Sequence, residues 1–279
     1  MILTKKSLQY LRPNVQVEPL LEQWYAWSHL ISPATAAMNI VDRHLTIMES
    51  YVRNPQTHAS AVKNPAMLGG PFIDYDGGRV EEIRRLIDST RRNQGQMVVL
   101  SGAIKELDQL LRAEAKGFSL EPLYGKVPEP LRGYVELVYD LNNNPSFRVI
   151  EPLLYESKYY DPSRQSLMLS LTSNDNRPFI LSTPRLRGPR DVHIQTPFVN
   201  EAIDDLFRMK TTPGDVDEIA DRLGVEMSDR EDFRAFFTDE PPRKYHPYSG
   251  ASARWRYFGH ACILVETAST SILLDPVLS

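Results

Sequence analysis

The sequence predicts an α+β fold with a mainly helical N-terminal domain, a small strand-plus-helix unit and a C-terminal β-hairpin. Apolar residues recur at helical spacing through the first 160 residues. Short apolar segments bounded by turn residues follow Arg164, and two strand-like segments around a polar turn close the chain. The apolar fraction of 42% and the charged fraction of 24% are ordinary for a globular protein, so a packed core is expected.

The helical domain, residues 1–160, contains three apolar stripes, each of which predicts one helix. The stripes are Met38, Val41, Leu45 and Met48, then Val80, Ile83, Leu86 and Ile87, and then Ile104, Leu107, Leu110 and Leu111. The first predicts a helix over 34–51 after Pro33, and Gly117 is placed to end the third. A further helix is expected over 131–141, ending at Asn142-Asn143-Asn144-Pro145.

The middle unit, residues 164–237, is predicted to combine strands at 167–171, 179–183 and 192–196 with three short helices. The second of these helices begins at Thr212-Pro213-Gly214-Asp215, which supplies a cap, a proline in the first turn and an acid. This order of elements indicates a winged-helix-like unit. The polar stretch 238–253, rich in Pro, Gly and Ser, is expected to be a linker.

The charge of this unit argues against nucleic acid as a partner. Its second helix carries Asp215, Asp217, Glu218 and Asp221 against Arg222 alone, and the whole chain has a net charge of -4. Binding to DNA depends on clustered cations that meet phosphates. A peptide or protein partner that adds a strand to an open sheet edge is one expectation. Simple packing of the unit against a neighbouring domain is the other.

The C-terminal segment 254–279 carries the most specific residues. They are Phe258-Gly259-His260-Ala261, Leu264-Val265-Glu266-Thr267 and Ile272-Leu273-Leu274-Asp275-Pro276. At this spacing they resemble the start of the metallo-β-lactamase-fold superfamily, in the branch of L-ascorbate-6-phosphate lactonase-like and N-acylphosphatidylethanolamine phospholipase D-like enzymes. The resemblance implies that the segment is the first β-hairpin of an incomplete αββα metallo-β-lactamase fold.

That resemblance implies an active site with two metal ions, zinc in most members, which activate water for hydrolysis. His260 and Asp275 match family positions near the site, whereas the His-x-His-x-Asp-His ligands are absent. We therefore expect no catalytic or metal-ligating residue in this chain. It would be the N-terminal portion of a metal-dependent hydrolase, inactive alone. The alternative is a peptide- or protein-binding module with a vestigial hydrolase tail.

Other candidate residues have simpler explanations beside the functional ones. Asp42, His44 and Glu49 on one helix, with His58 beyond it, could hold a metal ion, but solvated or hydrogen-bonded polar residues also account for them. Cys262 could be a nucleophile or a small buried filler within a strand. The Arg84-Arg85 and Arg91-Arg92 pairs could contact an acidic partner or form the solvent face of a helix.

The expected location is the cytoplasm. With Cys262 as the one cysteine, the chain cannot form an internal disulfide, which fits a reducing compartment. The residues after the first lysines are interrupted by Gln9, Arg12 and Pro13, so no secretory signal is expected. No run of about 18 apolar residues is present, so no membrane span is expected either.

Overall fold

The computed structural model describes residues 8–117, 119–174, 176–243, 246–258 and 262–276. The chain divides into two compact units, Met1–Glu240 and Pro241–Ser279. The strands of the first unit are β1 (Leu8–Leu11), β2 (Val15–Leu21), β3 (Trp24–Tyr25), β4 (Val135–Tyr139), β5 (Pro145–Val149), β6 (Gln165–Leu171), β7 (Val192–Gln195), β8 (Gly214–Asp215) and β9 (Phe237–Thr238). Its α-helices are α1 (Pro33–Met38), α2 (Leu45–Arg53), α3 (Pro55–Ala61), α4 (Val80–Asn93), α5 (Gly95–Glu114), α6 (Glu151–Tyr155), α7 (Ala202–Arg208), α8 (Val216–Leu223) and α9 (Arg230–Arg234).

A four-stranded antiparallel sheet, in the order β3-β2-β6-β7, organises the first unit. All seven residues of β2 pair with β6, from Val15 opposite Leu171 to Leu21 opposite Gln165. β6 then pairs with β7, so that Met168 lies opposite His193 and Leu167 opposite Ile194. The N-terminal strands therefore belong to the same sheet as the strands of the middle of the chain.

The two faces of this sheet differ in chemistry. Residues opposite each other in an antiparallel pair point to the same side, so the register assigns each residue to a face. One face is apolar and consists of Val15, Val17, Leu167, Leu169, Val192 and Ile194. The other face is mostly polar and includes Gln16, Glu18, Ser166, Met168, His193 and Gln195. A core can form against the first face, whereas the second must satisfy its polar groups in some other way.

The apolar face packs on a core built with α7, α8 and the residues around α9. Leu206, Leu223 and Phe233 are all buried in it. α8 begins where the Asp215 carboxylate accepts hydrogen bonds from the backbone N–H groups of Asp217 (3.0 Å) and Glu218 (3.1 Å). It ends at Gly224, whose φ of 76° is the left-handed conformation that a helix C-terminus requires. The small sheet β8-β1-β9 borders this core.

A second and larger core joins the helical layer to the β2–β3 end of the sheet. Trp24, Tyr51, Leu100 and Leu107 are fully buried in it, and α1, α2, α4 and α5 supply most of the rest. Pro33 begins α1. The π-helical segment Asn39–His44 follows α1 directly and leads into α2. The extra residue of a π-helical turn re-aims the side chains that follow, and such turns are frequent at functional sites.

A buried carboxylate holds the loop 177–187 onto the polar face of the sheet. Glu18 is 4% exposed and accepts hydrogen bonds from Arg185 Nε and Nη2, at 2.9 to 3.0 Å, and from Arg177 Nη1 at 2.6 Å. Arg185 also donates to the carbonyls of Thr183 and Ile180. Because one carboxylate is shared by two guanidinium groups, the loop cannot leave the sheet without exposing or unpairing buried charge.

The second unit contains the antiparallel sheet β10 (Arg254–Tyr257), β11 (Ile263–Glu266) and β12 (Ser271–Leu274). Glu266 is fully buried and accepts hydrogen bonds from Arg254 at 2.9 and 3.1 Å, while Arg256 lies 3.2 Å away. Trp255 is 70% exposed and shares one face of the sheet with its cross-strand neighbours Val265 and Ile272. The unit is thus held by a buried ion cluster and a short antiparallel ladder.

The predicted fold class is wrong. The N-terminal region is not a separate helical domain. Its strand β1 pairs with β8 and β9, and its strand β2 pairs with β6. The C-terminal strands form a three-stranded sheet instead of a hairpin. The predicted domain boundaries at 160, 164, 237 and 254 concern independent folding and stay a prediction.

Two local predictions are also wrong. Residues 131–141 contain strand β4 (Val135–Tyr139) instead of a helix. β4 forms a hairpin with β5, because Asp140 and Asn143, which has a φ of 59°, make a tight turn. Residues 179–183 form turns in the loop bound by Glu18. Among the helices, α2, α4 and α5 confirm the three apolar stripes, and α8 starts at the Asp215 cap.

Replacing Glu18→Gln tests the buried ion cluster. The change removes the carboxylate charge that Arg185 and Arg177 share in a buried position, so we expect the free energy of unfolding to fall by about 3–5 kcal/mol. The matched control is Glu136→Gln, since Glu136 pairs with Arg148 on the exposed β4–β5 hairpin and should cost less than about 1 kcal/mol. Urea unfolding of both variants measures this, and equal losses would contradict the proposed role of Glu18.

Candidate functional site

A groove lies between helix α4 and the polar face of the central sheet, with a volume of about 660 Å³. We call it the α4 groove. The residues that line it are Gln23, Glu82, Arg85, Leu86, Asp88, Ser89, Arg92, Met168, Leu186, Arg187, His193, Glu226, Ser228 and Asp229. A recess of about 220 Å³ shares Gln23, Leu86, Ser89 and His193 with it and adds Asn93 and Gln195. Both volumes lie in or near the range of small-molecule sites in proteins.

The floor of the groove is formed by β6 and β7. His193 Nε2 lies 2.9 Å from Ser166 Oγ, so the imidazole is hydrogen-bonded to the neighbouring strand. Gln195 Nε2 donates to the carbonyl of Gln165 at 2.8 Å and to that of Ser163 at 2.5 Å. These bonds fix the side chains in position before any ligand arrives.

The far wall of the groove is the segment around Arg187 and the turn that precedes α9. Arg187 donates from Nη2 to Asp229 Oδ1 at 2.6 Å and from Nε to the carbonyl of Asp191 at 2.9 Å. Arg79, at the start of α4, donates to the carbonyls of Leu186 (3.1 Å) and Arg187 (2.9 Å). The helix and the opposite wall are therefore tied together at one end of the groove.

Helix α4 contributes two arginines to the rim of the groove. Arg85 and Arg92 are seven positions apart, which places them two turns apart on one side of the helix. Both are exposed, and neither forms an ion pair within the described part of the chain. By contrast, Arg84 pairs with Glu81 and Arg91 pairs with Glu49. The solvent-face interpretation therefore suits Arg84 and Arg91, while Arg85 and Arg92 face the groove.

The environment of His193 favours its neutral form. Burial lowers the pKa of His193 from its usual value, and the nearby Arg187 lowers it further, while Asp229 acts in the opposite direction. A neutral imidazole can accept a hydrogen bond at one nitrogen and donate at the other. His193 is thus a polar contact in the groove that does not add charge to it.

A second polar cluster is enclosed in the helical layer and consists of three rings. The His44 ring stacks on Trp24 with centroids 3.8 Å apart, and His29 meets His44 edge-on at 5.8 Å. Both ring nitrogens of His44, with Trp24 Nε1 and His29 Nε2, have no hydrogen-bond partner among the described protein atoms. Burial, with repulsion from His29 and Arg43, holds the pKa of His44 well below 6.5.

The structure separates the residues that could have formed a metal site on the first long helix. Asp42 pairs with Lys105, and Glu49 pairs with Arg91 at 2.5 Å. His58 Nδ1 accepts a hydrogen bond from the backbone N–H of Ile73 at 2.9 Å, and its Nε2 lies 3.2 Å from Ser50 Oγ. Each side chain therefore has a structural partner, as the simpler explanation required.

Two of the C-terminal candidates can be located and one cannot. Asp275 follows β12, is exposed, and has a φ of 43°, a left-handed conformation that Asp tolerates better than most residues. Cys262 is fully buried as a free thiol before β11, which agrees with a filler role. His260 lies outside the described residues. The placement of His260 and Asp275 near an active site stays a prediction.

The groove residues were missed in the sequence, although a signal was present. Strands 167–171 and 192–196 were recognised, but Ser166, Met168, His193 and Gln195 alternate with the apolar residues of the core face. That alternation predicts a strand with one polar side. The sequence alone does not show which strands pair with each other. The polar side of these strands could therefore not be assigned to a groove instead of to solvent.

Comparison with known proteins identifies relatives of the whole chain. Residues 10–241 match the family described as the diiron non-heme beta-hydroxylase N-terminal domain. The chain is 34% identical over 274 residues to the 4-amino-L-phenylalanyl-[CmlP-peptidyl-carrier-protein] 3-hydroxylase of Streptomyces venezuelae. The alignment covers 96% of this chain and 51% of that protein, so the chain spans about half the length of the relative.

Solved structures of a hydroxylase are similar to this chain as well. The crystal structure of CmlA, a diiron beta-hydroxylase from Streptomyces venezuelae, superposes with a TM-score of 0.78 at 33% identity, covering 97% of this chain and 51% of that chain. A point mutant of CmlA superposes with a TM-score of 0.75 at 32% identity, with the same coverages. The similarity therefore extends through the central sheet and both cores.

These findings overturn the predicted hydrolase. The metallo-β-lactamase-fold assignment rested on under a tenth of the chain, whereas the alignment with a hydroxylase covers nearly all of it and extends into the segment 254–279. The predictions of a metal-dependent hydrolase, of a vestigial hydrolase tail and of an incomplete metallo-β-lactamase domain are wrong. Zinc is wrong as well, because the family and the solved relative are named for two iron ions.

The described residues do not fit a diiron centre. Such a centre uses on the order of six carboxylate and histidine ligands that converge on one point. Within the described ranges, no group of three or more His, Cys, Asp or Glu side chains is placed to hold a metal ion. His29 and His44 approach each other, but Asp42 is bound to Lys105. No step of iron chemistry can be assigned to these residues.

None of the helices within the described ranges is both long and apolar enough to cross a bilayer.

The buried rings make stability depend on pH. Below about 6.5 an unfolded histidine binds a proton that buried His44 does not bind, because its pKa is lowered in the fold. The free energy of unfolding should therefore fall as the pH falls, by up to about 1.4 kcal/mol per pH unit for each such group. His29, His58 and His193, whose pKa values are also lowered, add to this slope.

The variant His44→Phe isolates the contribution of His44. Phenylalanine keeps the stacking on Trp24 without the unpaired ring nitrogens, so the variant should be no less stable at pH 7 and should show a shallower acid slope. Urea unfolding between pH 5 and pH 7.5 measures both quantities. An unchanged slope would show that folding does not lower the pKa of His44.

Proposed function

This chain belongs to the family of diiron non-heme beta-hydroxylase N-terminal domains, and on that premise we propose that it serves an iron-dependent β-hydroxylase. The substrate class is an aminoacyl group carried by a peptidyl carrier protein. The observation that carries the proposal is the alignment of 96% of the chain with a 3-hydroxylase that acts on such a substrate. Because the alignment covers 96% of the chain, no large segment of it lies outside the similarity.

Within such an enzyme, we assign this chain the role of binding instead of metal chemistry. Two features support that role: no metal-holding group is found among the described residues, and a preformed polar groove is. A hydroxylase whose substrate is tethered to another protein must recognise the carrier as well as the aminoacyl group. The first unit offers a fixed surface for this purpose, built on a sheet and a helix instead of on mobile loops.

The proposed partner is a protein, which agrees with the expectation of a peptide or protein partner. The proposal narrows that partner to a carrier protein. The exposed cations Arg85 and Arg92 on α4 suit an acidic or phosphorylated surface. A cytoplasmic location remains part of the proposal and rests on the single cysteine. Nucleic acid is not part of it, given the acidic α8.

The binding of a loaded carrier protein to this chain tests the proposal. Isothermal titration with an aminoacyl carrier protein should give a 1:1 complex, whereas the free amino acid should bind at least about tenfold more weakly, because it lacks the carrier's share of the interface. Raising the salt concentration should weaken the complex if charged rim contacts contribute.

Iron analysis supplies the second arm of this test. After anaerobic incubation with Fe²⁺ and desalting, the chain should retain less than stoichiometric iron, because its described residues lack a ligand group. Retention of two iron ions per chain would contradict the assigned role. Equal affinity for the loaded carrier protein and the free amino acid would contradict carrier recognition.

A further inference from the structure

We propose that the α4 groove binds the phosphopantetheine arm, the phosphate-bearing, amide-containing thiol tether through which a carrier protein holds its aminoacyl group. The inference rests on the proposed function and goes beyond it by naming a site and a ligand chemistry. Three features of the groove match three parts of the arm: its cations, its apolar floor and its neutral polar side chains.

The groove exists because helix and sheet do not close on each other. A helix that packs on a sheet normally meets an apolar face. Here the sheet turns Ser166, Met168 and His193 towards α4, and α4 turns Arg85, Ser89 and Arg92 towards the sheet. Closing the gap would bury these charges without partners, so the space stays open to polar ligands.

The cations match the phosphate. Among the groove cations, Arg187 is committed to Asp229, whereas Arg85 and Arg92 have no ion pair within the described residues. Two guanidinium groups two helical turns apart can contact the oxygens of one phosphate from the rim. Asp88 lies between them on the same rim and Glu226 lines the groove as well, and both reduce the local positive charge. Glu82 and Asp229, the other lining carboxylates, pair with Arg79 and Arg187. The phosphate end of the arm is therefore placed along α4.

The floor matches the middle of the arm. Phosphopantetheine carries a dimethyl-substituted carbon next to its phosphate ester, and Leu86, Met168 and Leu186 together form the apolar part of the lining. Beyond that carbon the arm contains two amide groups, each with a donor and an acceptor. Gln23 and Asn93 have no side-chain hydrogen bond within the described residues, and His193 is neutral, so all three can pair with amides.

Titration of the 279-residue chain with free phosphopantetheine tests this assignment. Backbone amide shifts followed by NMR should report saturable binding, with the largest changes in α4, β6 and β7. The variant Arg92→Ala should weaken binding about fivefold, and Arg85→Ala should act in the same direction. Asp88→Asn should strengthen binding, because it removes an anion beside the phosphate.

The matched control is Arg84→Ala. It removes the same charge from the same helix, but Arg84 pairs with Glu81 and does not line the groove. Its affinity for phosphopantetheine should stay within about twofold of the parent chain. Pantetheine, which lacks the phosphate, should bind more weakly than phosphopantetheine, and its affinity should not respond to Arg92→Ala.

Carrier protein with and without its arm separates this inference from the proposed function. If the armed carrier binds more tightly than the arm-free carrier, and Arg92→Ala abolishes the difference, the groove assignment is supported. If both forms bind equally and free phosphopantetheine does not bind, the groove assignment is overturned while carrier recognition stands. If neither form of carrier binds, the proposed function is overturned as well, and the groove assignment with it.

Discussion

The pairing of β2 with β6 is the constraint on which the rest of the first unit depends. It gives the central sheet one apolar face, on which Leu206, Phe233 and their neighbours form a core, and one mostly polar face. Glu18 lies on that polar face and holds the loop 177–187 through Arg177 and Arg185. The same loop leads to Leu186 and Arg187, which Arg79 ties to α4. The groove is thus a consequence of the register of the sheet.

The sequence predicted those helices that are determined by residues close together in the chain. The apolar stripes of α2, α4 and α5 are amphipathic patterns within single helices, and Gly224 ends α8 because its conformation is left-handed. β1 and β2 were not recognised, since their partners are distant in sequence and the alternation of Val15, Gln16, Val17 and Glu18 has meaning only beside β6. The groove depends on that pairing, so its residues could be named as strand positions but not as a site.

The hydrolase interpretation failed for a related reason. A short strand-and-turn motif constrains only its own backbone, and apolar strands ending at Asp-Pro satisfy the same local rules in unrelated proteins. The similarity over 96% of the chain reflects instead a shared set of distant contacts, including the sheet and both cores. The buried His29–His44–Trp24 rings belong to this scaffold. The groove, by contrast, includes Arg85 and Arg92, which form no ion pair within the described residues.

In the proposed enzyme, this domain holds the tether of a carrier-bound substrate in the α4 groove. The most direct measurement is photo-cross-linking from a carrier protein whose arm ends in a photoreactive group in place of the aminoacyl group. Mass spectrometry of the digested complex should place the cross-links in peptides that contain β7, with His193 and Gln195 nearer the probe than the phosphate-binding Arg85 and Arg92. Cross-links confined to other parts of the chain, or found equally with Arg85→Ala and Arg92→Ala combined, would contradict the claim.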